Sequence, residues 1–151
     1  MLDTPIADFS LPATSGTTFS LAAQAGRPVV IYFYPKDSTP GCTTEGQNFR
    51  DLHAQFLAVD AVILGISRDS LKSHENFKAK QAFPFELGSD GDEAICNLFC
   101  VIKQKMMYGK QVRGIERSTF VIDRKGILRR EWRGLKVAGH AQEVLDFVKT
   151  L

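Results

Sequence analysis

Residues 28–50 read PVVIYFYPKDSTPGCTTEGQNFR, and this stretch decides the fold. Its first part, residues 29–33, is a continuous run of β-branched and aromatic side chains, which is typical of a central strand covered on both faces. A turn rich in Pro, Ser, Thr and Gly follows. Beyond the turn, Phe49, Leu52 and Phe56 recur at helical spacing and predict an amphipathic helix over about residues 43–56. A buried strand therefore passes into a helix, with a cysteine at the junction.

The rest of the chain continues this alternation of strands and helices. In chain order, the sequence predicts a strand at 61–67, a helix at 70–81, a short helix at 92–99, a hairpin at 118–132 and a helix at 139–151. Within the second helix, Leu71, His74 and Phe77 are expected to face inward. Residues 103–114 show neither periodicity and are expected to be irregular.

The predicted order of elements is that of a thioredoxin-like α/β fold. A strand–helix–strand unit followed by a hairpin and a packing helix gives a central mixed sheet flanked by helices. The N-terminal segments IADFSL and TTFSL are expected to add a β extension to this sheet. A length of 151 residues fits one domain, 1–151, with a single sizeable core.

Composition argues against several classes of function. Nineteen basic and 17 acidic residues give a net charge of +2 with the signs interspersed, which does not suit a nucleic-acid or membrane surface. The N-terminus lacks the pattern of a signal peptide, and no apolar run approaches the ~18 residues of a membrane span. Three cysteines in a chain that needs no disulfides indicate a reducing compartment. We therefore expect a cytoplasmic protein.

Cys42 is the candidate nucleophile. Thr39 is expected at the N-cap of the first helix, Pro40 at its first position and Cys42 in its first turn. Unpaired backbone N–H groups and the positive end of the helix dipole favour the thiolate over the thiol there. Because Cys42, Phe49 and Phe56 are spaced by seven, the sulfur is expected on the inward side of the helix. The alternative is a buried cysteine that only packs in the core.

Spacing argues against three other kinds of cysteine site. A thioredoxin-type dithiol needs a second cysteine three residues after Cys42, where Glu45 stands. A cysteine-dependent phosphatase loop needs an arginine six residues on, where Asn48 stands. A structural zinc site needs about four soft ligands, and Cys96 and Cys100 form one isolated pair. We expect neither a metal nor another cofactor.

The spacing Pro35-x-x-x-Thr39-x-x-Cys42 resembles the active-site signature of the peroxiredoxins. The wider text resembles the bacterioferritin comigratory protein, or peroxiredoxin Q, group within that family. The matching segments are ADFSL at 7–11, VVIYFYPKD at 29–37, TPGCTTE at 39–45, GKxxxGIERSTFVID at 109–123 and WRxxKVxGH at 132–140. They occur in order and cover nearly the whole chain.

The resemblance implies a thiol-dependent peroxidase that reduces hydrogen peroxide and organic hydroperoxides. In it, Cys42 would become a sulfenic acid, Pro35 would shield the sulfur, and Thr39 and Arg117 would stabilise the charge that develops on the departing oxygen. Read from its position alone, Arg117 is more often a solvated charge at a strand end. Glu45 is expected either to orient Arg117 or to be an exposed acid in the first helical turn.

The resemblance leaves the reductive half of the cycle open. Many members of the group carry a resolving cysteine five residues after the peroxidatic one, where Gln47 stands, and others carry it on the next helix, which has none here. Cys96 is expected in the core, and Cys100 is the better internal candidate. The favoured alternative is a one-cysteine cycle in which thioredoxin, glutaredoxin or a small thiol reduces Cys42.

Two further expectations concern partners and the rival function. The resemblance to the peroxiredoxin Q group favours a monomer that acts on a peroxide and a thiol reductant. The rival hypothesis is a non-catalytic thioredoxin-like binding module, or a redox sensor that signals through Cys42. Rapid oxidation of Cys42 by stoichiometric peroxide would separate the peroxidase from the binding module.

Overall fold

A computed structural model describes residues 1–151 except for the side chain of Met107. The strands are β1 (Ser10–Ala13), β2 (Thr17–Ser20), β3 (Val29–Phe33), β4 (Val62–Ser67), β5 (Glu86–Ser89), β6 (Ile102–Met107), β7 (Lys110–Ile115), β8 (Ser118–Ile122) and β9 (Leu128–Arg133). The helices are α1 (Pro40–Ala58), α2 (Leu71–Gln81), α3 (Ala94–Leu98) and α4 (His140–Val148). Among the residues described, no helix is both long and apolar enough to cross a membrane.

Seven strands form a mixed sheet in the order β2-β1-β5-β4-β3-β8-β9. Strands β3, β4 and β5 run parallel, so their carboxyl ends lie at one edge of the sheet. The hairpin β8–β9 joins β3 in the antiparallel sense. The predicted central sheet with flanking helices is thus confirmed, and the predicted N-terminal extension is the hairpin β1–β2, which joins β5.

The side chains of β3 alternate between two cores on opposite faces of the sheet. Ile31 and Phe33 pack with α3 and the N-terminal strands. Val30 and Tyr32 pack with α1, α2 and α4. All five residues of β3 are buried, as expected for a central strand covered on both sides. The strand that leads to Cys42 is therefore held rigidly from both faces.

Two expectations about local structure are wrong. Residues 103–114 are not irregular but belong to the hairpin β6–β7, whose turn at Tyr108 and Gly109 has positive φ angles of 52° and 76°. The side chains described between 103 and 113 are exposed, so the sequence shows no alternation of buried and exposed positions. Leu71 was expected to face inward but is 38% exposed, whereas His74 is buried as predicted.

Candidate active site

Helix α1 begins where the sequence predicts. Thr39 occupies the N-cap position with extended backbone angles (φ −83°, ψ 154°), and Pro40 is the first helical residue. The Thr43 N–H donates to the Thr39 carbonyl, so the N–H groups of Gly41 and Cys42 point beyond the helix end, as first-turn N–H groups do. The Cys42 residue is only 2% exposed. The thiol therefore sits in a nearly dry pocket beside backbone donors.

The loop residues Pro35 and Thr39 differ in their hydrogen bonds and exposure. Among the described contacts, the Thr39 hydroxyl donates to the Lys36 carbonyl (Oγ1–O 2.8 Å) and does not cap α1. Its hydrogen is thus engaged, and the lone pairs of its oxygen remain for another donor. Pro35 is exposed on the loop that leads to α1.

Arg117 reaches Cys42 from the segment between β7 and β8. Its Nη2 lies 3.5 Å from the Cys42 Sγ, across 75 residues of sequence. Strand β8 pairs with β3 so that Ser118 stands opposite Phe33. This register brings residue 117 beside the end of the strand that leads to Cys42. A guanidinium in this position attracts negative charge on the sulfur.

Gly41 is a member of the site that the sequence analysis missed. A Cβ atom at this position would lie 3.1 Å from the Arg117 Nη2, which is tighter than ordinary van der Waals contact. The missing side chain makes room for the guanidinium against the first turn of α1. The only signal in the sequence was the position of Gly41 within the TPGC segment.

Glu45 pairs with Arg117, the contact that one of its two predicted roles requires. Its Oε1 accepts a hydrogen bond from the Arg117 Nη1 at 2.7 Å, and the residue is 1% exposed. Its Oε2 has no hydrogen-bond partner among the residues described. Burial raises the pKa of Glu45 from 4.5 to about 7, although Arg117 opposes the rise. Burial lowers the pKa of Arg117, but Glu45 and Cys42 outweigh it and raise that pKa, so Arg117 remains a cation.

Comparison with known proteins places the chain in a family. The profile of the AhpC/TSA family matches residues 2–131. The chain belongs to this family. Peroxiredoxin Bcp from Xanthomonas campestris is 58% identical over 151 residues, which cover 99% of this chain and 94% of the relative. Peroxiredoxin Bcp from Bacillus subtilis is 46% identical over 144 residues, covering 95% and 92%. The chain is thus a peroxiredoxin, a thiol peroxidase, and the predicted resemblance is confirmed.

Solved structures agree with this assignment. The bacterioferritin comigratory protein of Xanthomonas campestris superposes with a TM-score of 0.90 at 58% identity, covering 94% of this chain and 90% of that one. A cysteine mutant of Xylella fastidiosa PrxQ has a TM-score of 0.94 at 44% identity, with 99% and 96% covered. The thioredoxin-like peroxiredoxin fold is therefore confirmed. As a peroxiredoxin, the protein acts on a peroxide and depends on a thiol reductant.

The two other cysteines of this peroxiredoxin differ in accessibility. Cys96 is fully buried in the core on the face of the sheet opposite Cys42, as the prediction of a core residue required. Burial and the hydrogen-bonded Asp90 raise the pKa of the Cys96 thiol, so this thiol stays protonated. Cys100 is exposed just after α3, where its carbonyl accepts a hydrogen bond from Arg133. Cys100 is thus the accessible thiol of this pair.

The loop that carries the peroxiredoxin signature has further contacts that the sequence analysis missed. Asp37 is buried, and its carboxylate accepts a hydrogen bond from the Tyr34 hydroxyl at 2.6 Å. The other carboxylate oxygen lies 2.7 Å from the His74 Nδ1. The inclusion of Asp37 in the matching segment VVIYFYPKD was the available signal, but nothing in that segment points to His74.

The raised pKa of Glu45 in this peroxiredoxin predicts a pH-dependent effect of Glu45→Gln on stability. The folded-state pKa of about 7 lies above the ordinary 4.5. The contribution of Glu45 to stability is therefore full below about pH 4.5 and is lost as the pH rises through about 7. Glutamine does not ionise, so between pH 4 and 8 the variant should gain about 3 kcal/mol of unfolding free energy relative to the parent.

Urea unfolding of both proteins at several pH values measures this gain. A difference between the two proteins that stays constant from pH 4 to 8 would contradict a carboxyl with a raised pKa. Glu93→Gln is the matched control, because hydrogen bonding to Arg113 lowers the pKa of Glu93 to about 2. The folded carboxyl is ionised throughout this range and the unfolded one titrates near 4.5, so we expect a nearly constant difference for that variant above about pH 6.

Proposed function

We propose that Cys42 is the peroxidatic cysteine and that it reduces hydrogen peroxide and organic hydroperoxides. One observation carries the assignment. Cys42 is 2% exposed in the first turn of α1, and a guanidinium nitrogen of Arg117 lies 3.5 Å from its Sγ. This arrangement supports a thiolate with a donor beside it, which is what attack on a peroxide requires.

The proposed reaction transfers two electrons from sulfur to the peroxide. The Cys42 thiolate attacks the oxygen that bears hydrogen, in line with the O–O bond. The S–O bond forms, the O–O bond breaks, and its electron pair leaves on the other oxygen as an alkoxide or hydroxide. That oxygen takes a proton from solvent and departs as an alcohol or water. Cys42 becomes a sulfenic acid.

Each neighbouring group has a proposed part in this step. The cation of Arg117 and the first-turn N–H groups of Gly41 and Cys42 stabilise the charge that moves onto the departing oxygen. The Thr39 hydroxyl gives its hydrogen to Lys36 and offers a lone pair, so it accepts the O–H of the bound peroxide. We place Pro35 as the outer wall that shields the sulfur.

The choice of organic hydroperoxides as substrates draws on a relative. The Xanthomonas campestris bacterioferritin comigratory protein, 58% identical to this chain, has been studied for its alkyl peroxide reduction activity. We propose the same class of substrate here. Hydrogen peroxide needs no additional contacts, because the proposed step involves only the O–O bond and its two oxygens.

For the reductive half of the cycle we propose that an external thiol attacks the sulfenic acid. Cys96 is a poor resolver because the sheet separates it from Cys42. Five residues after Cys42, where many members of the group carry a resolving cysteine, this chain has Gln47. The Gln47 side chain donates to the Gln81 Oε1 at 2.9 Å and so connects α1 to α2. Thioredoxin, glutaredoxin or a small thiol would supply the electrons. Cys100 is the remaining internal candidate.

Mass spectrometry of the reduced protein, seconds after one equivalent of hydrogen peroxide, tests both halves. Added mass of one oxygen on Cys42, with activity restored by external thiol, supports the one-cysteine cycle. Loss of two hydrogens, with Cys42 linked to Cys100, would keep the peroxidatic assignment and replace the external thiol by an internal resolver. Oxidation confined to Cys100 would refute the assignment of Cys42.

A further inference from the structure

A buried polar network holds the loop before Cys42 and takes no part in the proposed chemical step. Asp37 lies in this loop, two residues before Thr39. Its Oδ1 accepts from the Tyr34 hydroxyl at 2.6 Å, and its Oδ2 accepts from the Ser73 hydroxyl at 2.8 Å. The His74 Nδ1 lies 2.7 Å from the same Oδ2. Ser73 and His74 belong to α2, so a single carboxylate ties the active-site loop to the neighbouring helix.

His74 joins Asp37 to strand β5. The residue is fully buried, and its Nε2 lies 2.9 Å from the carbonyl oxygen of Gly88, which can only accept a hydrogen bond. The Nε2 therefore carries a hydrogen. The Nδ1 lies next to the Asp37 carboxyl group, and one hydrogen lies between the two side chains. Asp37 and His74 therefore form a buried hydrogen-bonded pair. Removing one member of such a pair leaves a buried polar group without its partner.

This network is filled by protein hydrogens and not arranged around a cation. Asp37, Asp69 and His74 each offer one atom that could bind a metal ion. These three atoms lie within 4.8 Å of one another. However, the Asp69 Oδ2 accepts from the Asp37 N–H at 2.9 Å and from the Ser67 hydroxyl at 2.5 Å. The carboxylate oxygens thus already face donors within the protein. The contacts therefore favour a hydrogen-bonded network within the protein over a metal site.

The far end of α2 also contacts the helix that carries Cys42. The Gln47 side chain donates to the Gln81 Oε1, and the Arg50 Nη1 donates to the Gln81 carbonyl, each at 2.9 Å. Helix α2 therefore contacts the chain both before and after Cys42. It holds the loop before Cys42 through His74 and the second and third turns of α1 through Gln81.

We propose that Asp37 and His74 are positioning residues for the peroxidatic step. Their hydrogen-bonded pair holds the 35–39 loop closed over Cys42, so that Pro35, Thr39 and the first turn of α1 keep the geometry that peroxide attack needs. The inference rests on the proposed role of Cys42. Small misplacements of reacting groups are costly, on the order of 100-fold for 1 Å. A looser 35–39 loop should therefore slow the oxidation of Cys42 by peroxide. At the same time it should expose the Cys42 sulfur.

The variant Asp37→Asn, which keeps the shape of the side chain and replaces its carboxyl group by an amide, tests this role. We expect oxidation of Cys42 by hydrogen peroxide to slow by roughly 10- to 100-fold. Alkylation of Cys42 by iodoacetamide in the absence of peroxide, followed by peptide mapping, should accelerate severalfold. His74→Gln should act in the same direction, and the double variant should change either rate little more than one single variant does.

Asp90→Asn is the matched control. Asp90 is another buried aspartate, 2% exposed, which accepts the N–H groups of Ile95 and Cys96 on the side of the sheet away from Cys42. It should change neither rate in the folded protein. If Asp37→Asn does not fold, Ser73→Ala removes one donor from the same carboxylate and should produce smaller shifts in the same two directions.

Three outcomes would overturn the proposal: unchanged rates in Asp37→Asn, a fall of both rates together, or equal effects of Asp90→Asn. The alkylation rate reports on the loop whether or not Cys42 is the peroxidatic residue. If the Cys42→Ser variant still reduces peroxide, that result would instead refute the proposed function. The two failures are therefore distinguishable.

Discussion

The Cys42→Ser variant is expected to consume no peroxide above the uncatalysed rate. Serine is close in size to cysteine, so the fold and the contacts of Arg117 should survive. Its hydroxyl stays protonated at neutral pH, however, and the thiolate is the nucleophile in this chemistry. Peroxide consumption followed with an excess of thiol reductant measures the loss, and circular dichroism checks that the variant is folded.

The variants Cys96→Ser and Cys100→Ser are the controls for this result. Under the one-cysteine cycle, both should retain most of the activity when a thiol reductant is supplied. Substantial peroxide consumption by Cys42→Ser would contradict the role assigned to Cys42. Loss of turnover in Cys100→Ser, with the first oxidation intact, would instead identify Cys100 as the resolver.

The Arg117→Ala variant is expected to slow the oxidation of Cys42 by roughly 100- to 1,000-fold, the usual effect of losing one donor that stabilises transition-state charge. The guanidinium is the cation within 3.5 Å of the sulfur, and it also holds the buried Glu45. Rapid-mixing measurements under single-turnover conditions isolate this step from reduction. An oxidation rate like that of the parent would refute the role of Arg117.

Two further arginine variants sharpen this test. Arg117→Lys keeps a positive charge but loses the planar fork that contacts Glu45 and Cys42 together, so we expect an intermediate rate. Arg113→Ala removes an arginine from the same region of the chain that pairs with Glu93. Among the described hydrogen bonds and ion pairs, none joins that pair to Cys42 or Glu45, so the oxidation rate should remain that of the parent.

Local patterns predicted much of the fold and the nucleophile. The apolar run at 29–33 fitted a strand with two covered faces. The Thr-Pro-Gly-Cys order indicated the start of α1 at Pro40, because proline and the N-cap residue have narrow backbone preferences. The inward phase of Cys42 followed from its spacing to Phe49 and Phe56. These properties depend on residues a few positions apart, which is why the sequence reveals them.

Predictions from local patterns were wrong where the burial of side chains did not follow a helical or strand repeat. The hairpin β6–β7 has exposed side chains along its described length, so hydrogen bonding and the Tyr108–Gly109 turn define it instead of an apolar face. Leu71 matched an inward phase on α2 but lies at the exposed first position of that helix. In both places the pattern of apolar and polar residues does not follow the burial of the side chains.

Local sequence thus specified the elements, the first turn of α1 and the thiol within it, since short-range sterics and hydrophobic periodicity act over a few residues. The partners of that thiol depend on the assembled sheet. Pairing of β8 with β3 brings Arg117 to Cys42 across 75 residues, and packing of α2 beside the loop joins His74 to Asp37. The burial that raises the pKa of Glu45 likewise arises only when these layers close around it. Contacts between distant segments carry no local periodicity, because chain folding and not spacing brings their atoms together.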